Sequence, residues 1–227
     1  MLTFILVAAL ASTPGTALPD DEVSARLHFI EAHLEAGAPK ALAWFGVWTT
    51  VYGGLTLGQG ILLATTHVRK KQIGYIVGGI GTLVGTLSMV VMPMPAAFAA
   101  LSLRGLPEAT PEERRRKLAA AEHWLDRAAD GEQFEQSWVV QASGVVVSVA
   151  IGLILSAGYH FFDSAVENTF PGVVVAQTQV NTSPMQAVRD RVEYAKRFGL
   201  PAPNPVPPLL RLKFGVYPGG LSIAGNF

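Results

Sequence analysis

With 227 residues, half of them apolar and only 15% charged, the chain carries too few charges to cover a large soluble surface, since ordinary soluble domains hold about 25%. Its 17 basic and 17 acidic residues cancel, which excludes a global attraction to nucleic acid or acidic lipid. The lack of cysteine excludes disulfides, thiolate metal sites and cysteine nucleophiles.

The chain begins MLTFILVAALA, an apolar run ending in Ala9-Leu10-Ala11 and followed by the helix-breaking Ser12-Thr13-Pro14-Gly15. About ten apolar residues are too few to cross a bilayer, but they suit an export signal with a small-residue cleavage site. Residues 1–18 are therefore read as signal-peptide-like, although no Lys or Arg precedes the run. From 20 to 38, Val23, Leu27, Ile30 and Leu34 recur at helical spacing with Glu22, Arg26, Glu31 and Glu35 between them, which predicts an amphipathic helix.

Four stretches then lack any Asp, Glu, Lys or Arg: 41–68, 72–103, 136–162 and 168–188. About 20 apolar residues in a helix cross a bilayer core of about 30 Å. Because every backbone polar group in lipid needs an internal partner, helices are the expected form. The predicted spans are 41–64, 73–97, 137–159 and 168–188. Before the third, residues 111–130 form a second amphipathic stretch, opened by Thr110-Pro111-Glu112-Glu113, with the cap residue, first-turn proline and early acids of a helix start.

Sliding the chain over itself by 90 residues superposes Arg26 on Arg116, His33 on His123, Trp48 on Trp138 and Gly54 on Gly144; with one more residue, Pro93-Met94 falls on Pro184-Met185. The expected architecture is an all-α membrane protein, a four-helix transmembrane bundle built from two repeated units, 20–100 and 110–188, each an amphipathic helix plus a hairpin. After it, five prolines within 200–208 predict a stiff linker. Residues 209–227 alternate Leu210, Leu212, Phe214 and Val216 with Arg211, Lys213 and Gly215 before Pro218-Gly219-Gly220, a β-hairpin signal.

Small residues recur at helical spacing along the spans: Gly54 and Gly58 on the first, Gly78, Gly81 and Gly85 on the second, Gly144, Ser148 and Gly152 on the third. Close approach through small side chains drives helix association in lipid, so these faces are expected to pack together. Trp44, Trp48, Tyr52 and Trp138 lie near span ends, where amphipathic rings anchor at headgroup level.

Chemistry-bearing residues are few. His33 and His123 are weak metal candidates, and no cofactor or metal site is assigned. Gln59, Gln141, Gln177 and Gln179 are polar groups at membrane depth that need partners or outline a polar path. The spans carry no charge, so the usual proton-relay acids are missing, and no catalytic constellation is present. The favoured reading is a non-enzymatic, multi-pass structural or interaction component of a bacterial-type cell membrane. Its expected contacts are the lipid bilayer, a protein partner met through the tail and amphipathic helices, and further copies of itself, with no nucleic acid. The alternative is a small transport or channel subunit with a polar path near Gln177 and Gln179. Arg69, Lys70 and Lys71 in the first short turn point that turn to the cytoplasm and the termini to the other side.

Overall fold

The computed structural model describes residues 18–201, 203, 211–217 and 220–226. The signal-like segment, most of the proline linker and the Pro218-Gly219 turn lie outside the described residues. The described body is all-α.

Helix α1 (Asp20–Thr65) is 46 residues long, about 69 Å at 1.5 Å per residue. Three acids, Asp20, Asp21 and Glu22, occupy its first turn, where they oppose the positive end of the macrodipole. Pro39 lies inside the helix, where its missing N–H leaves one rung open close to the change from amphipathic to apolar sequence. Helix α2 (Arg69–Val91) returns alongside α1. It ends at Val91, six residues short of the expected 97, and residues Pro95–Arg104 form a separate helix, α3. Pro93 and Pro95 push Met92 and Met94 out of helical conformation, and Met94 is extended at ψ 115°.

Helix α4 (Pro111–Glu135) starts on a complete capping box between Thr110 and Glu113. Helix α5 (Trp138–Leu153) is capped by Ser137 and runs into a π turn at Ile154–Gly158. After a tight connection in which His160 adopts φ 57°, helix α6 (Phe162–Thr182) returns along α5. The fourth expected arm, 168–188, is thus displaced toward the N-terminus. It stops where Pro184 forces Ser183 out of the helix, at ψ 133°, and helix α7 (Gln186–Arg197) follows. Gly199, at φ 65°, ends α7 in a Schellman turn with Leu200 N–H donating to the Ala195 carbonyl at 2.9 Å. Sequence reasoning missed α3 and α7, and both begin just after a Pro-Met break.

The helices form two storeys that share α1. In the first, the N-terminal half of α1 packs with α3, α4 and α7 around Ile30, Ala99, Leu103, Leu125 and Ala128, all essentially inaccessible. In the second, the C-terminal half of α1 pairs with α2, and α5 pairs with α6. Here large apolar side chains face outward: Leu57 is 70% exposed, Val91 74% and Val146 64%. Two helical stretches, Arg69–Arg104 and Trp138–Gly158, are long and apolar enough to cross a membrane. In the tail, strands β1 (Arg211–Tyr217) and β2 (Gly220–Asn226) pair antiparallel, with Tyr217 opposite Gly220.

The first storey is pinned by buried ions. Lys117, 6% exposed, bonds Glu31 at 2.7 Å and Glu108 at 2.6 Å; burial opposes its charge, but the two carboxylates outweigh that and raise its pKa. Arg26 pairs with Glu22 and approaches Glu122, which also accepts from the Tyr194 hydroxyl. Glu132 of α4, 1% exposed, accepts from Val188 N–H at 3.2 Å and so caps α7 from another helix.

Burial pushes the Glu132 carboxyl up to about 7, against the backbone bonds from Val188 and Ala187 that pull it down. Unfolded, it titrates near 4.5, so between these values the folded chain binds the extra proton. Its contribution to stability is therefore greatest below pH 4.5 and is lost as the pH climbs to about 7. The full effect is about 3 kcal/mol. Denaturation measured across this pH range is expected to show that slope, and Glu132→Gln, which keeps an acceptor for α7, is expected to flatten it.

Candidate functional site

The apolar storey holds its polar side chains at two levels. Near the first storey, the Tyr52 hydroxyl donates to Gln179 Oε1 at 2.7 Å, and Gln177 Nε2 donates to the Gln141 carbonyl at 3.2 Å. The indoles of Trp44 and Trp48 donate to Thr182 Oγ1 at 3.3 and 3.2 Å. Both rings are buried, so they brace α1 against α6 rather than anchoring at a headgroup surface. Trp138, 63% exposed, remains on the outside.

Nearer the two hairpin turns stand Gln59, Asn168 and Glu167. Gln59 is six residues from the end of α1 and Asn168 six from the start of α6, which puts both about 9 Å inside their helices. A Cβ on Gly78 would collide with Gln59 Oε1 and Asn168 Oδ1, so the missing side chain is what lets the two amide oxygens converge. Glu167 lies inside α6, one residue before the expected span 168–188. The early start of α6 brings it in, where the sequence reads as a turn.

The two hairpins touch each other sparsely, and the space between them holds two adjoining cavities, with a third beyond them between the α2–α3 break and the end of α4. The first, about 280 Å³, draws lining residues from all four helices, among them Gln59, Thr82, Ser148, Glu167 and Asn168. The second, about 260 Å³, shares Tyr52, Gly85, Ser143, Gly144 and Ala176 with it and adds Gln179 and Glu135. The third, about 470 Å³, shares Met92, Phe134 and Glu135 with the second and reaches Arg127 and Asp130 at the end of α4. Carboxylates thus stand at both ends of this run of cavities.

Of the four glutamines singled out from sequence, Gln59 and Gln179 line these cavities, whereas Gln141 and Gln177 line none of the three. The Oε1 atoms of Gln59, Gln141 and Gln177 are buried without a hydrogen-bond partner. Tyr52, Asn168 and Glu167 escaped sequence reasoning: one reads as an anchor, the others as residues at the edge of a turn.

The small-residue faces divide. A Cβ on Gly81 would meet Ile151 at 2.8 Å, on Gly85 the Tyr52 ring at 2.5 Å and on Gly144 Ala176 at 2.6 Å; Gly152 presses on Thr169, and Ser148 on Gly172. Gly54 and Gly58 meet nothing within 4 Å, so the first-span stripe is not an internal contact as expected.

His33 and His123 are not brought together. His123 is exposed on α4, while His33 stacks on Phe29 and bonds Asp190 of α7 at 2.9 Å. With Glu193, His33 and Asp190 place ligand atoms within 4.8 Å of one another in the first storey, remote from the cavities.

Comparison with family models, with curated proteins and with solved structures found no match. Gly85→Leu is expected to drive into Tyr52 and cost about 1–3 kcal/mol by overpacking, whereas Gly54→Leu stays within about 0.5 kcal/mol. Thermal unfolding of the two variants in detergent checks the contrast.

Proposed function

We propose that the protein is a four-span integral membrane protein and that its apolar storey is a small transport or channel unit. The observation that carries the reading is the run of cavities between the hairpins, continuous in its lining from Glu167 to Glu135. A bundle built only to hold its place in lipid gains nothing from polar walls at depth, because buried polar groups without partners are costly. The outward-facing Leu57, Val91 and Val146 support lipid as the surrounding medium, since soluble monomers rarely expose such contiguous apolar area. The path passes Tyr52, Gly85 and Ser143, and Gln177 serves as helix glue beside it.

Four spans put the first storey, both termini and the tail on one face of the membrane, and the two hairpin turns on the other. Arg69, Lys70 and Lys71 of the first turn favour that turn in the cytoplasm. The two halves, each an amphipathic helix, an apolar hairpin and a short helix after a Pro-Met break, support an internal duplication. In this reading the tail hairpin is a site for a protein partner.

The absence of native cysteine makes single-cysteine accessibility a clean test. In vesicles, Ser143→Cys, on the shared wall of two cavities, is expected to react with a water-soluble maleimide at least about tenfold faster than Leu57→Cys on the outer apolar face, given the cost of carrying polar reagent into hydrocarbon. Equal rates would exclude a watery path, and release of the protein by alkaline carbonate would exclude the membrane itself.

A further inference from the structure

We propose that the first cavity binds an alkylammonium, a cation bearing N–H groups on an apolar body; this rests on the reading of the cavities as a water-accessible path. The ligand class follows from where the protons of the lining groups go. The Tyr52 hydroxyl is spent on Gln179 Oε1, Thr82 on the Gly79 carbonyl, Ser143 on Val140, Ser148 on Gly144, and Asn168 Nδ2 on Ser164. Apart from the amide nitrogen of Gln59 and the second N–H of Asn168, the polar wall therefore offers acceptors. Gln59 Oε1 is buried and has no partner, and Asn168 Oδ1 converges with it over Gly78. Glu167, exposed at the mouth of the chamber and without a hydrogen bond or ion pair among the described residues, adds a negative charge there.

Two carbonyl oxygens and a carboxylate with few protons between them call for a ligand that brings both donors and positive charge. An ammonium supplies up to three N–H groups, and bonds between charged partners are roughly twice as strong as neutral ones. The remaining wall is Leu55, Val84, Val147, Ile151 and Val175, and the chamber of about 280 Å³ is far larger than a bare ion. The geometry therefore favours an organic body behind the charged head. Quaternary ammonium compounds lack the donors, fatty acids carry the wrong charge, and the free ammonium ion leaves the apolar wall unfilled.

The test uses the full-length protein in nanodiscs of zwitterionic phospholipid at neutral pH, with hexylammonium as probe and hexyltrimethylammonium, ammonium chloride and hexanoate as comparisons. Hexylammonium is expected to slow maleimide labelling of Ser143→Cys at concentrations at least about tenfold lower than any of the other three. Gln59→Leu and Glu167→Gln are each expected to weaken this protection about tenfold or more, while Gln59→Glu strengthens it. Unchanged labelling without amine shows that each variant remains folded. Equal protection by hexyltrimethylammonium or by ammonium chloride overturns the proposal, as does protection that survives Gln59→Leu. Calorimetric titration of hexylammonium into the cysteine-free protein reads binding independently of labelling. Failure to label Ser143→Cys therefore counts against the path, and failure to bind the amine counts against the ligand.

Discussion

A single helix that changes its surroundings halfway along its length is the constraint from which the other elements take their places. The first half of α1 buries Val23, Leu27, Ile30 and Leu34 against three other helices. From Thr49 to Thr65 it buries no residue completely. About 69 Å of continuous helix is more than twice a bilayer core, so both storeys share one axis. The remaining chain has to return to the first storey after each hairpin, and the two Pro-Met breaks let it do so. Without them, α2 and α6 would run straight on, and the core around Ile30 would lack α3 and α7.

The storeys cohere by different physics. In the first, apolar burial is closed by ion pairs that reach across the fold: Lys117 with Glu31, Arg26 with Glu122, Arg191 with Asp130. Each such pair costs desolvation and is tolerated because its partners are in place. In the second, on the proposed membrane reading, lipid would give an apolar side chain as good a home as a neighbouring helix does. Association then depends on glycine contacts such as Gly85 with Tyr52 and on hydrogen bonds such as those from Trp44 and Trp48 to Thr182. Where those devices stop, the hairpins separate, and the cavities begin there.

Much of the architecture is legible in the chain. The absence of charge marks the apolar helices, the 3.6-residue periodicity marks the first half of α1, and Thr110-Pro111-Glu112-Glu113 marks the start of α4. Hydropathy averages over a window, however, and it runs through Pro93 and Pro184 without noticing that the backbone stops there. For this reason α3 and α7 stay hidden, and so does Glu132, whose role exists only once α7 presents its N–H groups. The small-residue stripe is visible on the first three expected spans, but spacing does not say which face meets a neighbour; Gly54 and Gly58 look outward while Gly81, Gly85 and Gly144 look in. Trp44 and Trp48 mislead for a related reason, because an indole near a span end serves a headgroup or a threonine equally well. Glu167 is obscured because α6 begins six residues before the expected 168.

The long reach of these polar contacts bears on how the chain is made. Glu31 emerges from the ribosome 86 residues before its partner Lys117, and His33 precedes Asp190 by 157. At synthesis rates of about 5–20 residues per second, the wait for those partners is about 4–30 s. During that interval the leading half of α1 has an apolar face and no companion to cover it. Biogenesis is thus a race between translation and unwanted association, and α7, which follows the second hairpin, closes it.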